Sequence, residues 1–225
     1  MAIDGLAVVD DVPGEFADRF IENFQARSKD LYSIALSGGE TARRCYERLA
    51  EAAGSQVDWW KVDVYWGDER CVPHDHRDSN YRLAREALLD RVGAANATHL
   101  MRCAEVDDYQ LRVGDLGRFE LVHLGLGPDG HTASLFAGSP ALDADPGRLV
   151  TLNEDPSGRN PYPRMTLTLG GIARARLVLV TVMGEEKAEA LRAVWDGDDV
   201  PAARIRAERV AWLVDPAAAG KLPGC

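Results

Sequence analysis

The feature that most constrains this chain is an order of segments repeated along it: an apolar run, a glycine-bearing turn, then a helical pattern. Leu31 to Leu36 runs into Ser37-Gly38-Gly39 and the helical stretch Thr41 to Ala53. Val62 to Trp66 runs into Gly67, and Phe119 to Leu126 into Gly127-Pro128-Asp129-Gly130. Leu177 to Met183 runs into Gly184 and the helical Glu185 to Trp195. A helix is also expected over Glu15 to Ala26, with Phe16, Phe20, Ile21 and Phe24 on one side. Val210 to Val214 closes the series, and Asp215-Pro216 reads as the N-cap and first-turn proline of a short last helix. Strands apolar throughout, alternating with amphipathic helices, predict an α/β fold whose mostly parallel sheet carries helices on both faces.

The stretch from Asp143 to Pro163 breaks this rhythm with three turn signals and is expected to form loops and short extended pieces near the site. With no repeat, low-complexity tract or long linker, residues 1–225 are expected to form a single domain carrying that small insertion. Lys and Arg number 26 against 36 Asp and Glu, a net charge of −10, which argues against a basic face for duplex nucleic acid or anionic membrane. The longest apolar run, Leu177 to Met183, is far short of the ~20 residues a membrane span needs. The start, Met1 to Gly5, lacks the basic-then-apolar pattern of a signal peptide, so a soluble cytoplasmic protein is expected. Cys45, Cys71, Cys103 and Cys225 include no Cys-x-x-Cys pair and read as free thiols. His74 and His76 share a polar loop without a third ligand at metal spacing, so neither metal nor cofactor is expected.

In open parallel sheets, ligands bind beyond the carboxyl ends of the strands, where glycine turns and helix N-termini present unpaired N–H groups. Ser37-Gly38-Gly39-Glu40-Thr41 suits a phosphate: two glycines allow close approach, and two hydroxyls and a helix start follow. Gly184-Glu185-Glu186-Lys187 puts a cation in a first helical turn, unfavourable against the helix dipole unless an anion sits there. The chain has only four lysines, which makes Lys187 a specific candidate; Arg164 could add a second cation. The turn Gly67-Asp68-Glu69-Arg70 sets three charges directly after an aromatic strand. In Leu124 to Phe136, Asp129 precedes His131 by two residues. A histidine with a carboxylate to fix its tautomer is the natural general base near neutral pH. His123, within the apolar strand, is expected to be a satisfied core residue, and His99 a loop or edge position.

Taken together, Ser37 to Thr41, Gly67 to Pro73 with Ser79-Asn80, and Leu124 to Phe136 resemble the 6-phosphogluconolactonase family. The resemblance covers nearly the whole chain. It implies a Rossmann-like fold shared with glucosamine-6-phosphate isomerase/deaminases and metal-independent hydrolysis of 6-phosphoglucono-δ-lactone in the oxidative pentose phosphate pathway. It also implies a monomer or weak homodimer, with a functional link to glucose-6-phosphate dehydrogenase. His131 would be the general base, oriented by Asp129. Ser37, Gly38, Gly39, Thr41, Arg164 and Lys187 would hold the phosphate. Arg70 would face the phosphate or the developing negative charge, and Asp68 would hold Arg70 or a sugar hydroxyl. The deaminases place a carboxylate five residues after the histidine, where this chain has Phe136, and usually an aromatic at the position of Arg70. Ala42 and Ala137 stand where the family often has proline. A deaminase and a non-catalytic sugar-phosphate sensor remain the alternatives.

Overall fold

The computed structural model describes residue 3 and residues 5–223; Met1, Ala2, Asp4 and Cys225, on which parts of the sequence reading rest, lie outside them. The central sheet is built from β1 (Leu6–Val8), β2 (Tyr32–Leu36), β3 (Val62–Trp66), β5 (Ala97–Thr98), β6 (Phe119–Gly125), β9 (Ala175–Val182) and β10 (Arg209–Val214). Its order is β1-β10-β9-β6-β2-β3-β5, and every pairing is parallel. It is a Rossmann-like arrangement with flanking helices. A parallel sheet covered by helices has no solvated face, which is why β2 is buried at all five positions and β6 at six of seven.

The helices keep the expected faces. α1 (Val12–Gln25) buries Phe16, Phe20, Ile21 and Phe24, and Asp11 caps it by accepting a hydrogen bond from the Gly14 N–H. α2 (Glu40–Ala53) follows the Ser37-Gly38-Gly39 turn and packs on α1. After β9 the chain makes one 3-10 turn, Glu185–Lys187, before α6 (Ala188–Asp196). Asp215 caps α7 (Pro216–Ala219) through the Ala218 N–H, as the Asp-Pro pair predicts.

Three features depart from the sequence reading. Asp68, Glu69 and Arg70 do not form a simple turn: they are β4 (Asp68–Arg70), paired antiparallel with β8 (Arg164–Leu167), which pairs with β7 (Val150–Asn153). The irregular stretch thus contributes a strand to a second, three-stranded sheet that a local reading cannot assemble, because β4 lies more than 90 residues from its partner β8. Helices α3 (Asn80–Ala84) and α4 (Val106–Leu116), with the four-residue α5 (Leu169–Ile172), add to those that the periodicity predicts. Finally, Cys71 and Cys103 are not free thiols. They are joined in a disulfide with Cα atoms 5.6 Å apart, a proximity that a sequence separation of 32 conceals. Cys45 is free and buried. No helix among the described residues is long and apolar enough to cross a membrane.

Candidate active site

The turns after β2, β6 and β9 lie at the carboxyl end of the parallel sheet and meet the small antiparallel sheet around a cavity of about 190 Å3. All the expected site residues line it except Asp129, which stands behind His131. A larger cavity, about 1070 Å3, lies toward the amino ends of β9 and β10 and contains none of them. The smaller cavity gathers His131 and the three expected cations.

One wall is the turn into α2. Gly39 has φ 93°, a left-handed conformation that a side chain would strain, and the N-terminus of α2 has no side-chain cap. Its first N–H groups are therefore available to an anion. A Cβ on Gly38 would run into the Asn80 amide, so the turn and α3 approach as closely as glycine permits. The positive charges come from three other elements. Lys187 stands at the N-cap of α6; burial pushes its pKa down from the usual lysine value, opposed by Glu186 and Asp129. Arg164, 6% exposed, is likewise pushed down by burial and lies 4.0 Å from Asp68. Arg70 donates to the Asp78 carbonyl at 2.5 Å. The Nε of Arg70, the Nε of Arg164 and the Oδ1 of Asn80 are buried and have no partner within the protein. Orphaned buried donors are costly, but it is the placing of Arg70, Arg164 and Lys187 around one cavity that suits an acidic ligand.

His131 lies in the turn after β6. Its Nδ1 is 2.5 Å from Asp129 Oδ1, and its backbone N–H donates to the same oxygen at 3.2 Å. The hydrogen bond to His131 holds the Asp129 carboxyl below its usual range. With Nδ1–H committed to the carboxylate, Nε2 is the nitrogen left to accept a proton. A Cβ on Gly127 would strike the His131 ring, so the glycine makes room for it. Phe136 packs with its ring centroid 5.1 Å from that of His131 and is 1% exposed.

Asp68 and Glu69 behave differently from the sequence expectation. Asp68 accepts from Ser134 Oγ at 2.6 Å and Asn80 Nδ2 at 3.1 Å, so its cation is Arg164 and its hydrogen bonds tie the His131 loop to β4. Glu69, read only as one charge among three, accepts from Ser79 Oγ and from the backbone N–H groups of Arg70, Asn80 and Tyr81. Burial raises its pKa against those bonds. It clamps the start of α3 under the cavity. Ser134, Thr181 and Asn160 also belong to the site or its support and were not singled out. Only Ser134 carried a local signal, three residues after His131. Among the described residues, no group of His, Cys, Asp or Glu is arranged to hold a metal ion.

Residues 7–212 match the family described as glucosamine-6-phosphate isomerases/6-phosphogluconolactonase. A 6-phosphogluconolactonase of Synechocystis sp. is 40% identical over 210 residues, covering 84% of each chain. One from Mycobacterium tuberculosis is 36% identical over 212 residues, covering 84% of this chain and 85% of its own. The crystal structure of 6-phosphogluconolactonase from Thermotoga maritima superposes with a TM-score of 0.80 at 30% identity, covering 93% of this chain and 98% of that one. With the His131–Asp129 pair and the cationic cavity in place, the chain belongs to the glucosamine-6-phosphate isomerase/6-phosphogluconolactonase family.

Proposed function

We propose that this protein hydrolyses 6-phospho-D-glucono-1,5-lactone to 6-phospho-D-gluconate, the lactone step of the oxidative pentose phosphate pathway. The observation that carries the reading is a carboxylate-backed histidine opening into a small cavity lined by three cations, Arg70, Arg164 and Lys187. That combination suits one phosphate and one carbonyl centre. The phosphate sits against the Ser37 to Thr41 turn, Arg164 and Lys187. Arg70 faces the charge that develops on the carbonyl oxygen, where a fixed cation in a poorly solvated site stabilises the transition state most.

His131 Nε2 takes a proton from water as the water oxygen bonds to the lactone carbonyl carbon. The tetrahedral intermediate collapses by breaking the bond to the ring oxygen. That oxygen receives the proton from His131 and becomes the C5 hydroxyl, and the new carboxylic acid releases its proton to solvent. No covalent link to the protein is required. The isomerase/deaminase alternative fits less well: the position five residues after His131 is a buried phenyl ring and carries no carboxylate.

Two assays at one enzyme concentration separate these readings. Acid production from freshly made lactone should exceed the spontaneous rate, and ammonia release from glucosamine 6-phosphate should stay at background. Ammonia release with no lactone hydrolysis would reverse the assignment.

A further inference from the structure

Behind the phosphate turn lies a buried polar chain that the proposed chemistry does not use. The Tyr46 hydroxyl accepts from the Ser37 N–H at 2.7 Å, lies 3.1 Å from the Ser37 carbonyl and 2.9 Å from His123 Nδ1. His123 Nε2 is 2.9 Å from Thr181 Oγ1. Tyr46 and His123 are both fully buried, and Ser37 and Thr181, at the two ends, both line the cavity. The chain therefore leaves the cavity wall at the end of β2, passes through α2 and β6, and returns to the wall on β9.

Its hydrogen-bond accounting closes. Burial drives the His123 pKa down to about 3, so the ring is neutral and offers one donor and one acceptor. If the Tyr46 hydroxyl donates to Nδ1, the Nε2–H donates to Thr181. If Nδ1–H donates to Tyr46, the hydroxyl turns to the Ser37 carbonyl and Thr181 donates to Nε2. Either tautomer keeps every ring nitrogen paired. An aliphatic residue would fill the His123 position, between Val122 and Leu124 and against Phe16, without such demands. Tyr46, two turns into α2, reaches back to the last residue before the glycines and closes the strand–turn–helix unit on itself.

We propose that Tyr46 and His123 are positioning residues that fix the Ser37–Gly39 turn and the Thr181 hydroxyl in the cavity wall, so that a phosphate meets donors already in place. The inference rests on the reading of that turn as the phosphate site. Order established in the free protein need not be created on binding, so losing it weakens affinity and leaves the proton transfer at His131 intact.

The test uses the full chain with Tyr46→Phe, His123→Leu and His123→Asn, each checked for folding by near-ultraviolet circular dichroism. KM and kcat are measured with the lactone, and inorganic phosphate binding by calorimetry. Tyr46→Phe and His123→Leu should raise KM and the phosphate Kd together, roughly three- to ten-fold for one lost hydrogen bond, with kcat within about two-fold of wild type. His123→Asn, whose amide can meet the Tyr46 hydroxyl, should recover most of the affinity. If Tyr46→Phe does not fold, the two His123 variants decide by the same readout. Folded variants that bind phosphate as wild type does would overturn the inference. A wild type inactive on the lactone whose phosphate affinity still falls in Tyr46→Phe would sink the proposed reaction and uphold the positioning role.

Discussion

Two histidines on adjacent pieces of chain have been given opposite characters by their surroundings. His131 stands at a strand's carboxyl end with a carboxylate on Nδ1, whereas His123 lies within β6 with only neutral partners. Burial lowers the His123 pKa from 6.5 to about 3. A histidine neutral when folded binds its proton in the unfolded state first, so its contribution is complete above pH 6.5 and is lost as the pH falls. Stability should decline through this residue as the pH falls below 6.5 toward 3, by on the order of 1 kcal/mol per pH unit. Urea titrations of wild type and His123→Leu across that range should show a shallower slope in the variant; equal slopes would contradict the assignment. At the cavity, Lys187→Ala should raise the lactone KM roughly ten-fold or more while kcat changes little, since charge-assisted bonds to phosphate act in both ground and transition states. A fall in kcat at unchanged KM would place Lys187 at the carbonyl. His131 and Lys187 stand out in the sequence by local signals, a histidine after a Gly-rich strand end and a cation at the wrong end of a helix, and the fold brings both to one cavity. Glu69 and Asn80 were not assigned roles, because their function is to hold backbone and neighbours that only the folded chain brings together.

At the scale of elements, the parallel strands and most of their helices were legible because apolar runs and 3.6-residue periodicity are local signals. β1 spans three residues and β5 two, too few to show a pattern. The antiparallel sheet was hidden for a different reason. β4, β7 and β8 are short and draw their order from each other, pairing Arg70 with Arg164 across the ladder. That register puts two of the three cavity cations side by side. The Cys71–Cys103 disulfide anchors the end of β4 immediately after Arg70, and the Cys71 N–H donates to the Pro163 carbonyl at 2.9 Å beside β8. Closing a loop with a sequence separation of 32 should stabilise the fold by about 3–4 kcal/mol on chain-entropy grounds. Denaturant unfolding of wild type against Cys71→Ser/Cys103→Ser should show that loss, and reductant should reproduce it in the wild type alone. Identical midpoints would mean that the bond constrains little.

For the whole molecule, a net charge of −10 and the phosphate cavity proposed above are compatible because they act at different ranges. Exposed charges are screened within about 10 Å at 0.1 M salt, whereas Arg164 and Lys187 act from partly or fully desolvated positions at contact. The net charge disfavours an extended polyanion, whereas the single phosphate proposed for the cavity needs only these local cations. The parallel topology does the rest by delivering three turns, from β2, β6 and β9, to the same end of the sheet. In the proposed reaction this assembly lets His131 activate water against a phosphorylated lactone. Initial rates with freshly generated 6-phosphogluconolactone, corrected for spontaneous hydrolysis, test it in wild type and His131→Ala. Loss of the general base should lower kcat roughly 100-fold or more with KM little changed. A His131→Ala enzyme that turns over at the wild-type rate would rule out His131 as the base.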